Sequence, residues 1–139
     1  MPDDLIDTAR EVVQAWNDDD LDAAIKLVDP KAELNFPDAD LAFPGLDRSY
    51  RGHDGFKKWW RDAKEPFEYW RSEPLDFIRD GDKVVAPVHF KAQGVGSGAT
   101  VEMDLANFWI IRDGLIVRFE AYPSLERALE VAGISERSS

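Results

Sequence analysis

Asp104 is the residue of this sequence whose type and neighbours could do acid-base chemistry. It lies in the first strand of a hairpin whose turn is Asp113-Gly114, a dipeptide typical of a type I′ turn. The two-residue turn sets a register in which Ala106 lies opposite Ala121, and two methyl groups between larger neighbours leave a hollow. Asp104 lies two residues further along the same face. Because apolar walls disfavour the charged carboxylate, Asp104 is our candidate general base.

The same stretch also has a plainer interpretation. Glu102 and Asp104 are charged residues close to Gly98, where the strand begins. They could simply mark the point at which this strand leaves the core for solvent. Both interpretations stay open at the level of sequence, and the direction of the Asp104 side chain separates them.

The two histidines are the other candidates for acid-base work, because an unperturbed histidine titrates closest to neutral pH. Strand alternation with Phe90 inward points His89 outward, although a bulge at Pro87 would reverse it. His53 lies at a predicted helix start, where a local capping or surface role is the simpler interpretation. The histidines are not at metal-ligand spacing and the chain has no cysteine, so we expect no metal site.

Helix signals recur along the chain. Apolar residues at helical spacing predict a first helix ending near Trp16, a short second helix capped by Asp20, and a third helix from Gly52 to Lys64. Ser124 and Gly133 are placed to cap the two ends of a last helix. Residues 17–20, one asparagine and three aspartates, lack the glycine and distal glutamate of a calcium loop, so they indicate a solvated turn with a cap.

Strand patterns occupy much of the remainder. They begin with residues 32–36 and resume from residue 67 onward, with residues 94–98 as a hairpin loop. The loop at residues 37–50 is either a lid over a pocket mouth or an ordinary surface loop. Helices and strands segregate, so we predict an α+β fold with helices across the concave face of a curved sheet. Residues 1–135 form one domain and residues 136–139 a frayed tail.

Composition excludes several classes of partner. The 139 residues carry 28 acidic and 17 basic side chains, a net charge of -11, which repels nucleic acids and anionic membranes. The absence of cysteine from the sequence suits a reducing compartment. No apolar run approaches the length of a membrane span, and the acidic N-terminus does not resemble a signal peptide. We expect a soluble, cytoplasmic protein.

Four stretches of the sequence resemble the nuclear transport factor 2-like superfamily and, within it, the SnoaL-like polyketide cyclase group. They are residues 16–24, 50–56, 112–118 and 128–133. The resemblance implies a cone-shaped α+β barrel, in which a curved mixed or antiparallel sheet wraps around three to four N- and C-terminal helices. It says little about the reaction, because the superfamily includes isomerases, cyclases, epoxide hydrolases and non-catalytic binding modules.

Familiar catalytic groups of the superfamily are missing from this sequence. When the chain is matched to ketosteroid isomerases, the base falls on Phe36 and the two oxyanion donors fall on Val12 and Ala106. Enolisation needs these groups, so that reaction is excluded. The acidic groups and arginine of limonene epoxide hydrolases fall on apolar positions as well: Val88, Phe90, Ala92 and Ala121.

The same match implies a pocket lined by apolar and aromatic side chains, which would suit a planar aromatic or polycyclic ligand. Besides Asp104, Ala106 and Ala121, it turns these residues inward: Trp16, Phe36, Trp59, Trp60, Phe67, Tyr69, Val88, Phe90, Phe108 and Phe119. For Trp59 and Trp60, a role in the ordinary core is the alternative.

Two functions therefore stay open. One is a cofactor-independent cyclase or isomerase in which Asp104 moves a proton. The other is a non-catalytic module that binds a small apolar ligand or dimerises. We expect a hydrophobic small-molecule ligand, no cofactor, and no nucleic-acid or membrane partner. We also expect a homodimer formed through the sheet face that bears Leu105, Trp109 and Tyr122.

Overall fold

The computed structural model describes residues 4–38 and 45–134, which form four helices and seven strands. The helices are α1 (Asp4–Asn17), α2 (Leu21–Ile25), α3 (Gly52–Lys64) and α4 (Leu125–Ala132). The strands are β1 (Val28–Asn35), β2 (Ser49–Arg51), β3 (Phe67–Pro74), β4 (Ile78–Asp80), β5 (Lys83–Gly94), β6 (Thr100–Arg112) and β7 (Leu115–Tyr122). None of the helices in the described ranges is both long and apolar enough to span a membrane.

All seven strands belong to one curved sheet. Its order is β2-β1-β7-β6-β5-β3, with β4 paired to the first part of β5. β1 and β7 run parallel, and every other neighbouring pair runs antiparallel. The predicted α+β class is confirmed, although the sheet stays open rather than closing into a barrel.

The two faces of the sheet carry separate hydrophobic clusters. The inner face, defined here as the face that contacts α1, α2 and α3, holds the larger cluster, which includes Val84 and Trp109. On the outer face, Val85 and Phe108 pack with α4. Successive residues of a strand point to opposite faces, so Val84 and Val85 serve different clusters. The last helix therefore covers the outer face, whereas the sequence predicted that the helices cross the concave face.

Capping residues set the ends of the helices as predicted. The Asp20 carboxylate accepts a hydrogen bond from the Ala23 backbone N–H at 3.1 Å, and the Ser124 hydroxyl accepts one from the Arg127 N–H at 3.1 Å. Gly133 ends α4 with φ of 73°, and the Ile134 N–H donates to the Leu129 carbonyl at 3.0 Å. These bonds satisfy backbone groups that a helix end leaves unpaired.

Other boundaries differ from the prediction. β1 begins at Val28 and runs through Pro30, whereas the sequence placed its start at Ala32. The proposed lid loop includes residues 39–44, and these lie outside the described residues, as does the predicted tail at 136–139. Residues 94–98 connect β5 to β6 as a hairpin loop, as predicted.

The β6–β7 hairpin keeps its predicted turn but not its predicted register. Asp113 and Gly114 adopt φ of 54° and 77°, and Arg112 pairs with Leu115. The pairing shifts by one residue next to Ile116, so that Ala121 faces Asn107 instead of Ala106. Val117 is the extra residue of this β-bulge, and such a slip exchanges the side chains that share a face.

The turn provides a test of the hairpin. Gly114→Ala places a Cβ on a residue with positive φ, a strained conformation for an L-residue, and we expect the free energy of unfolding to fall by about 1 kcal/mol. Urea denaturation measures it. Asp113→Gly is the matched control, because its positive φ then carries no Cβ penalty. An equal loss in both variants would contradict the assigned turn.

Candidate functional site

A cavity of about 430 Å³ lies between the inner face of the sheet and helices α1 and α3. Its walls are mostly apolar and aromatic. The described residues that line it are Val12, Val13, Trp16, Val28, Ala32, Leu34, Phe36, Leu46, Phe56, Trp59, Trp60, Asp62, Ala63, Pro66, Phe67, Ser72, Phe90, Val101, Met103, Leu105, Asn107, Trp109, Ile116, Phe119 and Ala121.

Most residues that the sequence assigned to the pocket line this cavity. They are Trp16, Phe36, Trp59, Trp60, Phe67, Phe90, Phe119 and Ala121. Several of them form one continuous aromatic wall: the rings of Trp16 and Trp59 stack at 5.1 Å, and Trp59 meets the ring of Phe119 edge-on at 5.2 Å. The cavity thus has flat aromatic surfaces on the helix side and on the sheet side.

Four predicted lining residues lie elsewhere. Ala106 and Phe108 pack under α4 on the outer face, because the bulge in β7 moves the odd-numbered residues of β6 inward. Tyr69 is 43% exposed, since a register shift in β3 between Phe67 and Tyr69 interrupts the alternation. Val88 is buried in the inner core without lining the cavity. The predicted placement of these four residues in the cavity wall is therefore wrong.

Asp104 is also outside the cavity, and the prediction that it shares a hollow with Ala106 and Ala121 is wrong. It lies on the outer face, directly opposite His89 on β5, with its side chain 83% exposed. His89 points outward as alternation predicted, and no bulge at Pro87 interrupts the β5–β6 pairing. The plainer interpretation of Asp104, an exposed residue near the start of the strand, matches its observed position.

His89 is held between two carboxylates on this outer face. Its Nδ1 lies 2.9 Å from an Asp104 oxygen and its Nε2 lies 2.9 Å from a Glu102 oxygen. These two hydrogen bonds, that to Asp104 first, raise the pKa of His89 above its usual value, because both ring nitrogens can donate only in the imidazolium form. His53 is separate: its Nε2 lies 2.7 Å from the Val28 carbonyl oxygen, which joins α3 to β1.

The predicted dimer face does not exist as an exposed surface. Leu105 and Trp109 line the cavity, and Tyr122 is buried in the outer cluster beneath α4. The same register shift explains the difference, because the residues expected to face away from the core on β6 face toward it. The oligomeric state stays a prediction, but these three residues cannot form its interface.

The polar groups of the cavity were missed by the sequence analysis. Asn107 lines the cavity at the centre of β6, and its side chain makes no hydrogen bond within the described residues. The indole Nε1 of Trp16 is buried and also has no partner there. An asparagine inside the apolar run from Leu105 to Ile111 was a usable signal, but the assumed register placed Asn107 on the other face.

Backbone contacts hold Trp16 in the wall. Its carbonyl oxygen accepts hydrogen bonds from Lys64 Nζ at 2.7 Å and from Trp70 Nε1 at 2.9 Å. Trp16 belongs to α1, Lys64 to α3 and Trp70 to β3. Three elements therefore meet at one carbonyl, and this junction positions the Trp16 ring at the cavity.

Lys64 is 7% exposed and surrounded by aromatic rings. Its Nζ lies 4.1 Å to 4.3 Å from the ring centroids of Trp16, Trp60 and Trp70, which stabilises the cation. Asp19 accepts a hydrogen bond from Nζ at 2.9 Å, and this bond lowers the pKa of Asp19. Burial lowers the pKa of Lys64 although Asp19 opposes it, because the lysine loses its hydration while the more exposed Asp19 keeps most of its own.

Asp62 carries the carboxylate among the described lining residues, and this carboxylate already accepts two hydrogen bonds from neighbouring side chains. It accepts hydrogen bonds from the Tyr50 hydroxyl at 2.9 Å and from Lys58 Nζ at 3.1 Å. Burial raises the pKa of Asp62, but these bonds outweigh it and the net pKa is lowered. Burial also raises the pKa of Tyr50, to about 12. Asp62 therefore stays ionised and is a poor proton acceptor.

Comparison with known proteins supports a single family. The SnoaL-like domain family matches residues 9–119 of this chain. A comparison with curated protein sequences finds no significant match.

Solved structures of this fold are numerous. A protein of unknown function from Burkholderia pseudomallei, described as NTF2-like, superimposes with a TM-score of 0.79 at 22% identity, covering 93% of this chain and 97% of that one. TerC, co-crystallised with polyporic acid, superimposes with a TM-score of 0.78 at 23% identity, covering 92% of this chain and 99% of that one. IdmH from Streptomyces antibioticus, a proposed polyketide cyclase, superimposes with a TM-score of 0.71 at 21% identity, covering 94% of this chain and 99% of that one.

The cluster around His89 predicts a pH dependence of stability. Because the pKa of His89 is higher in the folded state than its ordinary value of 6.5, its contribution is fully present below that value and is lost as the pH rises through the folded pKa. We expect wild type to be more stable than His89→Gln at about pH 5, and the difference to shrink toward about pH 9. Urea denaturation at each pH measures it.

The control is Asp104→Asn made in the His89→Gln variant, where no imidazolium is present to donate a hydrogen bond to Asp104. This second substitution should change the pH dependence of the free energy of unfolding little further. A difference between wild type and His89→Gln that stays constant from acid to alkaline pH would show that the two hydrogen bonds do not form in solution.

Proposed function

We propose that this chain, which belongs to the SnoaL-like domain family, binds a hydrophobic, aromatic or polycyclic small molecule in the cavity of the inner face. The observation that carries the proposal is the aromatic wall formed by Trp16, Trp59 and Phe119. Flat rings with few polar groups favour planar apolar ligands, through dispersion contacts and removal of apolar surface from water.

The size of the cavity supports the same class of ligand. Its volume of about 430 Å³ lies within the range typical of small-molecule sites. A ligand of about 15 non-hydrogen atoms that gains about 0.5 kcal/mol per atom would bind with a Kd on the order of 10 µM. The co-crystallisation of TerC with polyporic acid gives this proposal a precedent on the same fold.

Catalysis is the second candidate function, and the amide in the cavity wall favours it. The Asn107 carboxamide could stabilise an oxygen on which negative charge develops. A substrate held in a folded conformation between the aromatic walls would then cyclise or isomerise without a cofactor. The proposed cyclase role of IdmH is consistent with this.

Binding without catalysis is nevertheless the better supported function. Proton transfer needs an acid or base within reach of the substrate. Asp104 lies on the opposite face of the sheet, and Asp62 already accepts two hydrogen bonds. Among the described residues that line the cavity, no other carboxylate and no histidine is present.

The proposal predicts specific binding of a polycyclic hydrocarbon. We expect wild type to bind fluorene with a Kd on the order of 10 µM by equilibrium dialysis. Ala121→Phe should weaken binding at least about tenfold, because the added ring occupies cavity volume. Val131→Phe adds the same ring to an exposed position of α4 and should leave the affinity unchanged.

Circular dichroism of both variants would show that they keep the fold. Absence of fluorene binding by wild type up to the solubility limit would overturn the proposed function. Equal weakening in Ala121→Phe and Val131→Phe would show that fluorene binds outside this cavity.

A further inference from the structure

A polar side chain in the cavity wall limits which ligands the cavity takes. Asn107 lines the cavity and is 9% exposed, and its carboxamide makes no hydrogen bond within the described part of the chain. Its amide atoms are not among the inaccessible unpartnered atoms of the described residues, so a ligand can reach them. An amide covered by apolar ligand surface loses hydrogen bonds to water and gains none. Natural proteins rarely keep such a group in an apolar wall unless it has a role there.

The neighbours of Asn107 leave room for a ligand atom beside it. On β5 its cross-strand partner is Ala86, and on β7 its partner is Ala121. Two methyl side chains flank Asn107, which leaves space beside its carboxamide. The amide carries two N–H donors and a carbonyl acceptor, and Asn107 lines the cavity.

The indole nitrogens around the cavity do not meet a ligand. Trp16 Nε1 is buried, so its ring lines the cavity while its N–H is enclosed by protein. Trp60 Nε1 donates to Asp19 at 3.0 Å, and Trp70 Nε1 donates to the Trp16 carbonyl at 2.9 Å. The Asn107 carboxamide is therefore the group that we assign to recognition of a ligand oxygen.

The charges of the cavity argue for a neutral ligand. The described lining residues include no lysine, arginine or histidine, so a carboxylate or sulfonate would enter without a cation to pair with. Asp62 is already neutralised by Lys58, which leaves little attraction for an amine. The net charge of -11 disfavours anionic ligands further.

We propose that Asn107 selects a neutral polycyclic ligand that carries a carbonyl or hydroxyl oxygen. This inference rests on the proposed function, since it concerns the same cavity. Plain hydrocarbons fill the cavity but leave the Asn107 amide without a partner. Charged analogues satisfy the amide but lose their hydration without compensation.

A matched pair of probes tests the inference. Fluorene and 9-fluorenone share one tricyclic skeleton, and 9-fluorenone adds a single carbonyl oxygen. We expect wild type to bind 9-fluorenone about tenfold or more tightly than fluorene in equilibrium dialysis. Asn107→Leu keeps a similar side-chain volume and removes the amide, so the preference should fall to about threefold or less while fluorene affinity is kept or improved.

Two further variants keep the result interpretable. Asn107→Val removes the amide with a side chain that suits a strand and should reduce the preference even if Asn107→Leu fails to fold. Gln93→Leu removes an exposed amide on β5 and should leave the preference at the wild-type value.

The affinities for the two probes distinguish failure of the inference from failure of the proposed function. Equal affinity of wild type for both probes overturns the inference but leaves the proposed function standing, because the hydrocarbon still binds. A full preference retained in both Asn107→Leu and Asn107→Val also overturns it. Binding of neither probe overturns the proposed function and the inference together.

Discussion

The one-residue bulge in β7 decides what the cavity contains. A strand alternates its side chains between two faces, so a shift of one residue against its neighbour exchanges every partner beyond that point. With Val117 as the extra residue, Ala121 pairs with Asn107 and Phe119 pairs with Trp109. Without it, the odd-numbered residues of β6 would share a face with Arg118 and Glu120. The apolar character of the described cavity wall and the position of the Asn107 amide within it both follow from this local irregularity.

A second interaction keeps the cavity in shape. Lys64 joins α3 to the Trp16 carbonyl of α1 and lies over the ring of Trp70 on β3. Burying a lysine is costly, and the three ring faces together with Asp19 offset that cost. The cation lies behind the cavity wall instead of inside it, so the cavity keeps its apolar character while its helices are held in position.

Much of the fold could be predicted from the sequence, since its signals are local. Asp20, Ser124 and Gly133 cap helices through bonds to residues a few positions away, and Asp113-Gly114 forms the predicted turn. The aromatic residues of α1 and α3 reach the cavity because helical spacing already placed them on one face.

The contents of the sheet side of the cavity could not be predicted in the same way. The bulge at Val117 contains no glycine or proline to mark it, and it depends on how whole strands fit together. Asp104, Ala106 and Phe108 were therefore assigned to the wrong face, and Asn107 was overlooked. The role of a strand residue depends on the face that it occupies. One bulge that the sequence does not mark therefore places Asn107 in the cavity, where Asp104 was predicted.

The indole N–H resonances of the tryptophans report most directly on how the cavity recognises a ligand. In a ¹H–¹⁵N spectrum assigned with Trp→Phe variants, addition of 9-fluorenone should move the Trp16, Trp59 and Trp60 resonances, because their side chains line the cavity and a bound aromatic ligand changes the magnetic environment of their rings. The Trp70 resonance should stay in place, because Trp70 is not among the described residues that line the cavity. A Trp16 resonance that stays fixed at saturating 9-fluorenone would contradict the assignment of this cavity as the binding site.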